Sequence, residues 1–159
     1  PDVAAIGGPD PAPADSTFGE RIADTLLATP LIGSGIAAHQ NRQGIFDVEH
    51  PHDVALVNLF VRKSAFEDAG GFDEGIGYIG EDTALVAELM KRGTVVYHSG
   101  VVVRHLRRAF PRAYLGQRWR YRVKTGRMLA SGARHYVGNL KIIAFLVACI
   151  AAIAWTMAT

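Results

Sequence analysis

The sequence predicts an α/β domain followed by a basic helix and a membrane-spanning helix, and three observations carry that prediction. Short β-branched runs alternate with helically patterned stretches, which favours a sheet covered by helices. Charge is segregated: residues 1–100 hold all fifteen Asp and Glu with six Lys and Arg, a net −9, while residues 101–159 hold eleven Lys and Arg and no acid, a net +11. The last eighteen residues, from Ile142 to Thr159, carry no charge at all. A chain of 159 residues that is 49% apolar and 20% charged has the composition of a globular domain, which excludes a disordered or collagen-like chain. Its one cysteine, Cys149, excludes an internal disulfide and a thiolate metal site.

The elements follow in chain order. PDVAAI reads as the end of a strand running into a Gly7-Gly8-Pro9 turn, and the proline-rich run to Pro13 as a loop. Ser16 is the expected cap of a helix over Phe18 to Ala28, closed by Pro30, and a flexible polar segment is expected from Gly33-Ser34-Gly35 through His52. Val54 to Val61, apolar with Asn58 in its middle, reads as a buried strand. Ser64-Ala65-Phe66-Glu67 fits a capping box for a short helix that Gly70-Gly71 stops. A second helix is expected from Glu81-Asp82-Thr83 to Gly93, with Leu85, Val86, Leu89 and Met90 on its apolar face. Thr94 to His98 and Val101 to His105 read as strands, and Tyr114 to Ala130 as a strongly basic helix.

The run IIAFLVACIAAIAWTMAT, at about 1.5 Å per residue, is long enough to cross the hydrocarbon core of a bilayer. Arg127, Arg134 and Lys141 precede it, so the positive-inside rule puts the preceding domain in the cytoplasm, against the membrane. The basic block is expected to meet anionic lipid, with Arg107, Arg112, Arg118 and Arg122 toward the headgroups. Nucleic acid is not the expected partner, because the cations adjoin the apolar segment and few aromatics interleave with them.

Chemistry-bearing residues concentrate between Asn58 and His105. Glu81 and Asp82 stand at an expected helix N-terminus, where free amides favour a carboxylate; such a pair either caps the helix or serves as a general base. The loop before them, Gly71-Phe72-Asp73-Glu74-Gly75-Ile76-Gly77, has three glycines and can border a ligand. His105 closes an expected strand, as a structural group or as a ligand of a divalent cation. His50-Pro51-His52-Asp53 suits a loop better than a metal site, and Gly33-Ser34-Gly35 lacks the lysine of a phosphate-binding loop.

Arg62 with Ala65-Phe66, Gly70-Gly71-Phe72-Asp73-Glu74, Gly80-Glu81-Asp82-Thr83, a helix ending in Lys91-Arg92-Gly93, a strand and His105 together resemble the C-terminal half of family 2 glycosyltransferases. These are inverting nucleotide-sugar enzymes of GT-A fold. The resemblance covers about residues 54 to 127, with a looser match at Val3 to Pro9. It implies a partial GT-A domain over residues 1–113 carrying the acceptor side, a basic juxtamembrane region over 114–141, and the transmembrane helix over 142–159. It also implies transfer of a sugar from a nucleotide-sugar donor to a hydroxyl of a carbohydrate or lipid-linked acceptor. Asp82, with Glu81, is then the base; His105 lies on the side of the metal, Mg²⁺ or Mn²⁺, and the diphosphate; Gly71, Phe72 and Asp73 border the acceptor. Gln117-Arg118-Trp119 stands where processive members carry a Gln-x-x-Arg-Trp element, at a different spacing, and so adds Gln117 and Trp119 to the acceptor side. The family's Asp-x-Asp motif does not occur. The chain is therefore expected to be a fragment lacking the donor-binding half, with turnover expected only alongside that half; the alternative is a non-catalytic, membrane-tethered module that binds lipid or a partner. His105 and Asp82 are expected to face one cleft.

Overall fold

The computed structural model describes residues 2–29, 40–76 and 80–130. They form a mixed α/β structure around one four-stranded sheet of order β2-β4-β1-β3. The central strands, β1 (Val3–Gly7) and β4 (Thr94–His98), are parallel, with Ala5 opposite Val95 and Gly7 opposite Tyr97. The edge strands β2 (Ile45–Asp47) and β3 (Leu59–Val61) run antiparallel to β4 and β1 respectively. The helices are α1 (Phe18–Ala28), α2 (Lys63–Asp68), α3 (Glu81–Met90) and α4 (Arg112–Ala130).

β1 and β4 form where the sequence places them: β4 alternates, turning Val95 and Tyr97 into the core, while β1 is a short run of small and β-branched residues with both Ala4 and Ala5 buried. That core joins Ala4, Ala5, Val95 and Tyr97 of the sheet to Leu85, Val86 and Leu89 of α3, with Val48 and Val54 closing its sides. Tyr97 is fully buried; its ring stacks on Phe46 at 4.6 Å and its hydroxyl donates to the carbonyl of Arg42 at 3.2 Å. α3 turns into β4 at Gly93, where a Cβ would lie 2.6 Å from the carbonyl oxygen of Asp2, so this end of the helix sits beside the start of β1. Its opposite end, with Glu81 and Asp82, points back along the sheet toward the C-terminal ends of β1 and β4.

Four local expectations are corrected. The cap of α1 is Thr17, not Ser16: the Thr17 hydroxyl accepts from Glu20 N while Glu20 accepts from Thr17 N at 2.7 Å, a complete capping box. The α2 cap is Arg62, with no side-chain bond, so Ser64-Ala65-Phe66-Glu67 lies inside the helix instead of opening it. Gly70 and Gly71 do end it, at φ +84 and +72. The run from Val54 is a strand only at Leu59–Val61, because Leu56–Asn58 winds into a 3-10 turn that sends the Asn58 amide inward. There Nδ2 donates to the carbonyls of Pro9 at 2.9 Å and Val101 at 2.7 Å.

The fourth correction is the strand expected from Val101 to His105. The segment is extended and donates from Val103 N to Pro9 O and from His105 N to Pro11 O, at 3.2 and 3.0 Å. Pro9 and Pro11 have no N–H to return, so only half of a ladder can form. β2, inside the polar segment expected to be irregular, is the converse case: three residues become a strand because β4 pairs with them.

The transmembrane helix expected over 142–159 lies outside the described residues, as do 131–141 of the basic region. Among the described residues, no helix is long and apolar enough to cross a membrane.

Candidate functional site

Glu81 and Asp82 occupy the first turn of α3, entered through Gly80 in the left-handed region at φ +91. Asp82 is half-buried; its Oδ1 accepts from Thr83 N at 2.7 Å, and Oδ2 takes no hydrogen bond among the described residues. Glu81 is turned further in: its Oε2 is buried and has no hydrogen-bond partner among them. Ahead of the helix, Asp73 Oδ1 accepts from Gly75 N at 2.8 Å and Ile76 N donates to Asp73 O at 3.1 Å, folding the loop on itself. Phe72 meets Phe66 edge-on at 5.5 Å, seated by the left-handed Gly71. Lys124 of α4 donates to the Ile76 carbonyl and so ties the basic helix to this loop.

His105 sits in a different set of contacts. Its Nδ1 lies 2.9 Å from Arg107 Nη1 and 3.3 Å from Asp10 Oδ2. Arg107, expected to face lipid, is instead buried: Nη1 donates to Asp10 Oδ2 at 3.0 Å, Nη2 to the Asp10 carbonyl, and Nε to Asp24 Oδ1 at 2.7 Å. Burial works against its charge, but the hydrogen bonds and charges of Asp10 and Asp24 prevail and hold its pKa above the ordinary value. The cluster binds the exit of β1, through Asp10, to α1, through Asp24, and to the 101–107 segment. Sequence reading missed it, although the alternation along Val101, Val103, His105 and Arg107 is the signal that puts Arg107 on the inner face.

No hydrogen bond or ion pair joins Asp82 to His105 among the described residues, and each is engaged by its own neighbours. Gln117 and Trp119 lie on α4, where Gln117 Nε2 reaches Tyr121 OH at 3.4 Å and Trp119 is exposed. The His50-Pro51-His52-Asp53 run forms a 3-10 turn with the two imidazoles stacked at 5.4 Å, and Asp53 accepts from His50 N. Among the described residues, no group of three or more His, Cys, Asp or Glu side chains converges to hold a metal ion. At His105 only Nε2 is left for a ligand, beside a guanidinium, which is not the oxygen-rich set that Mg²⁺ or Mn²⁺ takes.

No protein-family model, curated protein or solved structure matches this chain.

Proposed function

We propose that this chain is the acceptor side of an inverting glycosyltransferase of GT-A fold, acting with a donor-binding half at a membrane. The observation that carries the reading is the Asp82 carboxylate. It stands in the first turn of α3, where Oδ1 accepts from Thr83 N at 2.7 Å and Oδ2 takes no hydrogen bond among the described residues, and the sequence ahead of it is rich in glycine. In the reaction Oδ2 takes the proton of the acceptor hydroxyl as that oxygen attacks the anomeric carbon. The glycosidic bond forms, the bond from the anomeric carbon to the diphosphate breaks, and the diphosphate leaves with the electron pair. Glu81, turned inward, positions the helix start. A divalent cation would supply charge compensation at the leaving diphosphate; the described residues do not form its site. Gly71, Phe72 and Asp73 border the acceptor in this reading; of the two α4 residues, Gln117 is half-buried beside Tyr121, whereas Trp119 is exposed on the outer face.

The test is release of nucleoside diphosphate from a panel of nucleotide sugars, with the chain joined to its donor-binding half. Asp82→Asn should lower turnover at least about a hundredfold, the lower range for general-base removal. Near-normal turnover by Asp82→Asn would remove Asp82 from the chemistry; no release from any donor by the parent would favour a non-catalytic tether.

A further inference from the structure

Two stretches of the described surface present apolar and basic side chains together and no acid. Along the extended segment after β4, Val102, Arg104, Leu106 and Arg108 are exposed while the intervening residues turn inward, so that one edge alternates apolar and cationic groups. Leu106 is 65% exposed, and Phe110 continues the edge into α4. On α4, Tyr114 is buried against Ala23 and Leu27 of α1, which fixes the inner face of the helix. Arg118 lies one turn on from Tyr114, and burial pushes its guanidinium below its ordinary pKa. Arg118 is half-buried, unlike the exposed Arg112 and Arg120.

The outer face carries Leu115 and Trp119, one turn apart, with Trp119 72% exposed. Arg112, Arg120 and Arg127 are exposed around them. A large indole left in water on a helix anchored through Tyr114 on its other side, with arginines around it, is the arrangement of an interfacial helix. Charge selects the occupant. No Asp or Glu occurs from residue 101 onward, so these two stretches bring no acid of their own to an anionic surface, and the sequence beyond residue 141 is uncharged and apolar.

We infer that the Leu115–Trp119 face of α4, with the Leu106–Phe110 edge, docks on an anionic lipid surface, the indole entering the headgroup region. This goes beyond transfer chemistry and stands or falls without it. Trp119 and Trp155 are the two tryptophans, so Trp155→Phe leaves Trp119 as the reporter. The full chain carrying Trp155→Phe is reconstituted in phosphatidylcholine vesicles with or without phosphatidylglycerol, and quenching by lipids brominated near the headgroup is measured. With phosphatidylglycerol, Trp119 should be quenched and blue-shifted, and high salt should reverse part of the effect. Arg112→Gln with Arg120→Gln should lower the docked-to-undocked ratio by about fivefold for each charge removed. These arginines are exposed, so the variants should keep the parent's circular dichroism. An unquenched, water-like Trp119 in anionic vesicles would overturn the inference. So would shielding of Trp119 that arises only with added nucleic acid or acidic protein.

Discussion

Replacing Arg107 by methionine keeps much of the apolar stem but removes a cation that two aspartates share. The size of the effect depends on solvent. The Arg107 and Asp10 side chains are 6% and 4% exposed, and their contact is 3.0 Å, which places the pair among buried ion pairs and not among surface ones. Exposed pairs contribute about 0–1 kcal/mol, whereas stripping one member from a buried pair costs roughly 3–5 kcal/mol, because the remaining charge stays desolvated. Asp24 is 22% exposed and can recover water; Asp10 cannot, so most of the loss falls on Asp10. At a urea m-value of about 2 kcal/mol/M, the loss moves the unfolding midpoint down by roughly 2 M. The assay is urea unfolding of the full chain in mild detergent, followed by far-ultraviolet circular dichroism, at low and at 1 M salt. The shift should survive salt, since a buried pair is poorly screened. Arg107→Met combined with Asp10→Asn should cost less than the sum of the two by about 0.5–3 kcal/mol, the coupling of residues in contact. A single-variant loss under about 1 kcal/mol, or one erased by salt, would refute the buried-network account.

Asn58→Ala should leave the Val101 carbonyl without its donor, while the Pro9 carbonyl keeps Val103 N, and so cost about 1–3 kcal/mol, read from the same unfolding curves. Asn58→Asp should be no milder, since it replaces that donor with an acceptor. At the α1 cap, hydrogen bonds from the Thr17 backbone and then its hydroxyl lower the pKa of Glu20 below 4.5. A carboxylate whose pKa is lowered by folding stabilises the fold above its unfolded value and stops doing so as pH falls through the folded one. The thermal midpoint of Glu20→Gln should therefore lie below the parent's at neutral pH and converge with it in acid, starting near 4.5. A gap that stays constant into strong acid would mean that Glu20 acts without its charge.

Local pattern sufficed for elements whose signal lies within their own residues. β4 shows alternation, β1 is an apolar run into the Gly7-Gly8-Pro9 turn, α1 and α3 show an apolar stripe bounded by polar residues, and Gly70-Gly71 marks a left-handed stop that the backbone adopts. It failed where a distant partner decides. Ile45–Asp47 becomes a strand because Val96 to His98 pair with it, and Val101 to His105 fails to become one because its neighbours are prolines. The candidate site divides in the same way. Asp82 at a helix start is a local fact of its sequence. The partners of His105 and Arg107 are Asp10 and Asp24, more than eighty positions away in the chain, and nothing near residue 107 announces them. Counting Arg107 among the cations of a basic block was reasonable from composition and wrong in space.

The parallel pairing of β1 with β4 also governs the order of assembly. Gly7 must wait for Tyr97, and until β4 arrives β1 can hold only β3, its antiparallel neighbour at Leu59–Val61. Three residues on an edge are a weak partnership, so the early chain carries an unpaired central edge made of Ala4, Ala5 and Ile6. Closing so long a loop is entropically slow, and β4 is also the strand that recruits β2. Pairing of β4 is therefore expected to be the rate-limiting step of sheet formation, and substitutions within Thr94–His98 should slow folding more than equally destabilising ones within β3, because that one strand fixes both neighbours.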